Sequence, residues 1–181
     1  LIGTDLVDAM TITYQDVENV EINSGSGDDR VAVHTLFTRT TLNMGAGNDS
    51  VYLGSNATLG GLGLPDSNTG GNLNQINASL RVNGQGSGDS DLLMLDDTGD
   101  TGVNHGTLTG TTIKNGVVGS TAADILMDAK GSITYATLES LEIHLGDAAN
   151  GTGSNVFTIE SSHGNGAVTD ITSRSGGDIF N

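Results

Sequence analysis

The sequence predicts an all-β protein, a right-handed parallel β-solenoid of the β-helix or β-roll kind, built from short strands and Gly/Asp turns. Three observations predict it. A Gly/Asp motif recurs along the chain, short apolar runs of period two flank its copies, and a segment near the start of the chain returns near its end. Short strands separated by recurring turns are typical of repeat folds, in which each coil stacks on the next.

The turn motif has the form G-x-G-x-D-x-apolar. It occurs in two full copies and three degenerate copies, at residues 25–31, 45–51, 86–92, 151–157 and 175–180. The two full copies are twenty residues apart, while Ser90 and Asn155 replace the Asp in two of the others. Glycines allow the positive φ that tight turns require. The spacing predicts one coil of strand, turn and strand, with successive turns stacked in a row.

Apolar residues alternate with polar ones on both sides of these turns, as in Val20-x-Ile22 before the first and Val31-x-Val33 after it. Such period-two runs predict short strands with one face inward, and no window favours a helix. The side chains expected in the inward rows are Val20, Ile22, Val31, Val33, Leu42, Val51, Leu53, Leu141, Ile143 and Ile159.

A longer repeat contains these turns. Residues 12–25 and 133–146 are identical at seven of fourteen positions, at an offset of 121 residues. We therefore expect one continuous solenoid over 1–181, with a first unit over about 1–116 and a partial second unit over about 117–181. We expect residues 55–79, which contain the chain's one proline, to form an irregular loop that bulges outward.

Composition limits the function classes. The formal net charge is −16, from 22 acidic residues against 6 Lys and Arg, which disfavours nucleic acid and anionic membranes as partners. Such acidity is equally compatible with divalent cations and with solubility alone. The chain has no cysteine, which excludes thiolate metal sites and disulfides. It also lacks an apolar stretch near the ~20 residues of a membrane span.

Asp and Asn in glycine turns predict a Ca²⁺ site, because Ca²⁺ prefers carboxylate and carbonyl oxygens. An ordinary Gly/Asp turn is the alternative for any single copy. The candidate ligands are Asp28, Asp29, Asn48, Asp49, Asp89, Asp91, Asp96, Asp97, Asp100, Asn155 and Asp178. The cluster over residues 96–100 holds three carboxylates that repel one another, so it is either a cation site or a solvated turn.

The motif resembles the nonapeptide of the RTX, or haemolysin-type, calcium-binding repeats. The longer unit, with ITYQDVENVEINSGSGDD, LLMLDDTGDT, HGTLTG and ITYATLESLEIHLG, resembles tandem units of very large bacterial surface proteins. The resemblance implies an extracellular or cell-surface role, structural or adhesive, that uses Ca²⁺. It departs at Ser90 and Asn155, where the carboxylate is missing.

We expect no catalytic site. The two D-T-G triplets, at Asp97 and Asp100, are too close in sequence to face each other as an aspartic protease requires. A pectate-lyase-like, carbohydrate-active or carbohydrate-binding β-helix is the alternative, although such enzymes need clustered basic residues. The expected partners are copies of the chain itself, joined end to end into filaments as a mature product or a piece of a longer chain, with surface polysaccharide as a further partner class.

Overall fold

The chain contains strands and turns but no helix over the residues that the computed structural model describes, which are 11–61, 64–115, 131–148, 153–164 and 167–181. The strands are β1 (Asn19–Asn23), β2 (Arg30–Val33), β3 (Arg39–Gly45), β4 (Ser50–Leu53), β5 (Leu80–Gln85), β6 (Leu92–Asp96), β7 (His105–Leu108), β8 (Thr112–Asn115), β9 (Ser132–Ala136), β10 (Ser140–His144), β11 (Val156–Ile159), β12 (Val168–Thr172) and β13 (Ile179–Phe180). The all-β class is confirmed. The predicted boundary between units, near 116, lies outside the described residues.

These strands form two sheets. The larger has eight strands in the order β1-β3-β5-β9-β8-β7-β11-β13, and the smaller has five in the order β12-β10-β6-β4-β2. Consecutive strands alternate between the sheets from β1 to β7 and again from β9 to β13, so most turns pass from one sheet to the other. Every pair in the smaller sheet is parallel.

The expectation of a continuous right-handed parallel solenoid is wrong. Strand β8 runs antiparallel to both of its neighbours, β7 and β9, and no closed solenoid is found in the described residues. After β7 the chain reverses in a tight turn, where the N–H of Thr109 donates to the carbonyl oxygen of Thr112 at 2.8 Å. The short link through Gly110 and Thr111 makes a hairpin. The larger sheet is therefore mixed.

The glycine turns stack backbone against backbone. Gly45 has a φ of 99°, in the left-handed region, and a Cβ there would overlap the carbonyl oxygen of Gly25 in the neighbouring turn. The strands entering these turns carry a ladder of amides, in which Asn43 donates to Asn23 at 2.8 Å and Asn83 donates to Asn43 at 2.7 Å. Close stacking thus gives the recurring glycine a structural reason that is independent of any ion.

The core is one cluster of buried side chains from both sheets. The alternation of buried and partly buried positions along β3, β4, β9 and β10 shows the period-two pattern of the sequence. Predicted core residues that are buried are Leu42, Val51, Leu53, Leu141 and Ile143. Ile22, Val31 and Val33 are partly buried against this core, and Val20 is partly exposed. Ile159 was predicted wrongly, since it is 41% exposed.

The segment 55–79 has no strand in its described residues, and part of it is buried. Leu73 and Ile76 are fully buried, and the N–H of Leu36 donates to the carbonyl oxygen of Gln75 at 2.8 Å. The second half of the segment therefore packs beside β3 and β5 and supplies part of the core.

Candidate cation-binding turns

One row of turns joins the larger sheet to the smaller sheet and carries most of the predicted ligands. We call four of these turns the first turn row: residues 24–29, 46–49, 86–91 and 137–139, which connect β1 to β2, β3 to β4, β5 to β6 and β9 to β10. The strands on both sides pair in parallel register, so the four turns lie next to one another.

A column of carboxylates runs through this row. The backbone N–H of Asp29 donates to Asp49 Oδ1 at 2.7 Å, and the N–H of Asp49 donates to Asp91 Oδ1 at 2.9 Å. The N–H of Asp91 in turn donates to Glu139 Oε2 at 2.9 Å. We call these four residues the carboxylate column. The carboxylates of Asp49, Asp91 and Glu139 each anchor the turn before their own, which explains why an acidic residue recurs at this place in the motif.

The residues just before the column form a second series of contacts, with the opposite direction. The N–H of Asn48 donates to Asp28 Oδ1 at 2.8 Å, and the N–H of Ser90 donates to Asn48 Oδ1 at 2.9 Å. Here each side chain accepts from the following turn rather than from the preceding one. Asp28 and Asn48 therefore have a turn-to-turn structural role, and an amide serves as well as a carboxylate.

Carboxylates of the first turn row have oxygens without hydrogen-bond partners. Asp29 Oδ2, Asp49 Oδ2, Asp91 Oδ2 and Asp89 Oδ1 are buried and have no hydrogen-bond partner among the described residues. Asp49 and Asp91 are each only 1% exposed. A buried carboxylate oxygen without a donor costs about 1–3 kcal/mol or more. A cation would remove that cost.

Burial and mutual repulsion disfavour the charged forms. Burial raises the pKa of Asp91 to about 6, a hydrogen bond from the N–H of Asp49 opposes this, and the charges of Asp89, Asp49 and Glu139 add to it. Burial, followed by the charges of Asp49 and Asp28, also raises the pKa of Asp29. A divalent ion among these groups would reverse the repulsion and favour the ionised carboxylates.

Three carboxylates come closest to a complete set of ligands. Asp89, Asp91 and Glu139 each place one carboxylate oxygen within 4.8 Å of the others. A Cβ at Gly84 would overlap both Asp91 Oδ2 and the carbonyl oxygen of Thr137, so these two oxygens lie against the same glycine. Carboxylate oxygens with a nearby carbonyl are the donor chemistry of a hard cation such as Ca²⁺.

The Asp96–Asp100 cluster lies elsewhere, in the turn after β6, and hydrogen bonds already occupy it. Asp97 accepts from the N–H of Leu73 at 2.9 Å and from Asn104 Nδ2 at 2.8 Å. Asp96 accepts from the N–H of Gly71 at 2.6 Å and from Thr98, and Asp100 accepts from the N–H of Gly102 at 2.6 Å. Backbone and side-chain donors therefore already bind the carboxylates of this cluster. Metal binding by Asp96, Asp97 and Asp100 stays a prediction.

Asp97 is fully buried among these donors. Burial raises its pKa to about 8, the hydrogen bond from Leu73 opposes the shift, and the charges of Asp100 and Asp96 add to it. The neutral, protonated form is therefore favoured over much of the physiological pH range. Asn104 Oδ1 is buried without a partner beside it and becomes an acceptor for that proton if the amide is flipped.

The last two predicted ligands form a separate series. The N–H of Asn104 donates to Asn155 Oδ1 at 3.0 Å, and the N–H of Asn155 donates to Asp178 Oδ1 at 3.0 Å. Asp178 also accepts from Ser173 Oγ, and Asn155 Nδ2 donates to the carbonyl oxygen of Gly146 at 2.9 Å. These contacts repeat the geometry of the carboxylate column in the turns that lead from the smaller sheet back to the larger sheet.

Sequence reasoning missed Glu139 as a ligand candidate. It lies outside the G-x-G-x-D motif, in the segment that repeats residues 12–25, where it is one of the seven identities. That identity was the available signal, since the equivalent residue is Glu18. Its proximity to Asp91, 48 residues earlier, depends on the stacking of β10 on β6.

Comparison of the chain with protein-family models, with curated proteins and with solved structures gives no match. In the described part of the chain, no helix has the length and apolar character of a membrane span.

Proposed function

We propose that this chain is an extracellular, calcium-binding structural repeat protein, a segment of a bacterial fibre or giant adhesin without catalytic activity. The observation that carries the proposal is the set of buried, unpartnered carboxylate oxygens in the first turn row. Their spacing from turn to turn makes a line of sites rather than one pocket. A line of ions that tie successive turns together stiffens a repeat structure and has no need of a substrate.

Calcium is favoured over magnesium by the ligand chemistry. Ca²⁺ tolerates irregular sets of six to eight oxygens at 2.3–2.6 Å, whereas Mg²⁺ demands near-ideal octahedral geometry at about 2.0–2.1 Å. Backbone turns with carboxylates on several chain segments suit the larger ion. The resemblance of the motif to RTX repeats supports the extracellular location.

End-to-end assembly is supported by the sheet edges. Among the described strands, β1 and β2 end the two sheets on one side, and β13 and β12 end them on the other. Large apolar side chains are exposed near these edges, and they include Ile12, Val17, Val168, Ile179 and Phe180. An open edge with apolar neighbours is a template for another strand. Stacking of further copies would cover both features and produce an open filament.

Thermal unfolding with and without calcium tests the proposal. In excess EGTA we expect a clearly lower Tm, restored by Ca²⁺ and not by Mg²⁺, because each saturated site adds about 2.7 kcal/mol at a free ion concentration of 100 Kd. Asp49→Asn should lose part of this calcium-dependent gain. Glu160→Gln, which removes an exposed charge that belongs to no carboxylate cluster among the described residues, is the matched control and should keep all of it.

A Tm that does not change between EGTA and Ca²⁺ would contradict the calcium proposal. Electron microscopy of the protein in Ca²⁺ and in EGTA tests the assembly separately. Filaments that form only with Ca²⁺ support a fibre segment, whereas single particles under both conditions would restrict the proposal to a calcium-binding module.

Polysaccharide binding is a second candidate, favoured by one feature. A shallow groove crosses β3, β5 and β9 on the larger sheet, and it contains two exposed arginines, Arg39 and Arg81, beside Thr41 and Thr134. Two guanidinium groups among hydroxyls suit an acidic sugar chain. Retention of the wild-type protein on immobilised polygalacturonate, with loss in the double variant Arg39→Ala and Arg81→Ala, would establish this role.

A further inference from the structure

The closest carboxylate cluster draws its members from the two copies of the long repeat. Asp89 and Asp91 belong to the turn between β5 and β6, in the first unit, whereas Glu139 belongs to the repeated segment 133–146. Strand β9 stacks on β5 and strand β10 stacks on β6 directly beside the cluster. The cluster therefore lies where the second unit meets the first.

An observation independent of the clustering indicates a ligand at this place. Asp91 is 1% exposed, and its Oδ1 is taken by the N–H of Asp49, so that Oδ2 is buried without a donor. Asp89 Oδ1 is likewise buried and unpartnered. The carboxylate of Glu139 accepts one hydrogen bond in the cluster, from the N–H of Asp91, and among the described residues it has no ion pair with a Lys or Arg.

We propose that Asp89, Asp91 and Glu139 form a junction site, in which one divalent cation ties the second repeat unit to the first. This inference rests on the calcium-binding function proposed above and assigns one of its sites a specific task. Three carboxylates within 4.8 Å repel one another in the absence of an ion, so the contact between units is weakened without it. The cation converts that repulsion into a link between β6 and β10.

The internal repeat supplies a control residue for Glu139. Glu18 is the equivalent of Glu139, lies directly before β1, and is exposed at the edge of the larger sheet. Glu18 therefore has the same sequence context as Glu139 without the partner carboxylates, which makes it a matched control.

The decisive variant is Glu139→Gln. Glutamine keeps an oxygen that accepts from the N–H of Asp91 but removes the charge, so a purely structural role survives the change and a cation-binding role does not. By calorimetric titration of the monomeric chain with Ca²⁺, we expect this variant to bind one ion fewer, or to bind one ion at least tenfold more weakly. Asp89→Asn should do the same, while Glu18→Gln should leave the number and affinity of bound ions unchanged.

The Tm measured with and without Ca²⁺ adds a second test, because a purely structural role of Glu139 would not reverse the sign of the change in Tm. In EGTA, Glu139→Gln should melt at or above the Tm of the wild type, because repulsion among the carboxylates is relieved. In saturating Ca²⁺ it should melt below the wild type. This reversal of sign supports the junction site.

The experiment distinguishes failure of the calcium-binding proposal from failure of the junction site. If the wild type binds no Ca²⁺, the proposed function and the junction site both fall. If the wild type binds Ca²⁺ but Glu139→Gln binds it equally well, or changes the Tm in the same direction with and without the ion, the junction site alone is overturned.

Discussion

The two copies of the long repeat, residues 12–25 and 133–146, share half of their sequence but not their environment. In the second copy Ile133 is fully buried and Leu138 is 5% exposed. Their equivalents in the first copy, Ile12 and Val17, are 49% and 39% exposed. The same apolar pattern is therefore core in one place and surface in the other.

The difference comes from the neighbouring strands. The second copy begins with β9, which pairs with β5 on one side and β8 on the other, whereas residues 11–15 form no strand. The copies also lie in different sheets, because β1 belongs to the larger sheet and its equivalent β10 belongs to the smaller one. A period-two pattern thus specifies a strand with one apolar face, and the neighbours decide whether that face is covered.

The largest expected effect comes from removing the same side chain in each copy. Ile133→Ala should lower the free energy of unfolding by about 2–5 kcal/mol, because it leaves a cavity in the core. Ile12→Ala should change it by less than about 0.5 kcal/mol, as surface substitutions usually do. Urea unfolding of both variants measures the difference. Equal losses would mean that the first copy is covered in solution, for example by another molecule of the chain.

A second effect depends on pH and arises where the end of the second copy packs over Asp97. The N–H of Asp97 donates to the carbonyl oxygen of His144, and the pKa of the side chain is raised from 3.8 to about 8. Between these values the folded chain holds a proton that the unfolded chain has released. This stabilising contribution is complete below about pH 4 and is lost as pH rises through about 8.

We therefore expect the urea midpoint of the wild type to fall between pH 5 and pH 8.5. Asp97→Asn should flatten this slope and stabilise the protein at the upper end, by an amount of order 1–3 kcal/mol. The new amide keeps an oxygen for Leu73, and Asn104 offers an acceptor if its own amide flips. Glu160→Gln is the control, and an unchanged slope in Asp97→Asn would contradict the assignment.

Much of the fold follows from local pattern. Alternation predicted strands and inward residues such as Leu42, Val51 and Ile143, because the side-chain period of a strand is fixed by backbone geometry. Strand direction was not predictable in the same way. The reversal into β8 depends on a turn at Gly110 and Thr111, in a Thr/Gly-rich stretch whose alternation is the same for a parallel or an antiparallel strand.

The sequence named Asp89 and Asp91 as candidate ligands but not Glu139, and it predicted only some of the contacts between turns. A spacing of twenty residues correctly suggested that the turns of Asp29 and Asp49 are neighbours. Asp49 and Asp91 are 42 residues apart and still adjacent, because the segment 55–79 is inserted between two stacked coils. Glu139 lies 48 residues after Asp91 in the sequence, and its place beside Asp91 depends on the second copy stacking on β5 and β6. Such contacts are properties of the assembled sheets and not of the motif.

The smallest of these effects compares two equivalent tyrosines. Tyr135 is 3% exposed, and its hydroxyl donates to the carbonyl oxygen of Thr109 at 2.5 Å, which ties the second copy to the hairpin of β7 and β8. Tyr14 occupies the same place in the first copy but is only partly buried. Tyr135→Phe should cost about 0.5–1.5 kcal/mol, the net value of one intramolecular hydrogen bond. Tyr14→Phe should cost nothing measurable by urea unfolding. Because the ring is retained in both variants, packing is unchanged and the difference isolates the hydroxyl. A loss in Tyr14→Phe equal to that in Tyr135→Phe would mean that the hydroxyl of Tyr14 also has a hydrogen-bond partner in solution. The difference between the two copies would then exist only in an isolated molecule of the chain.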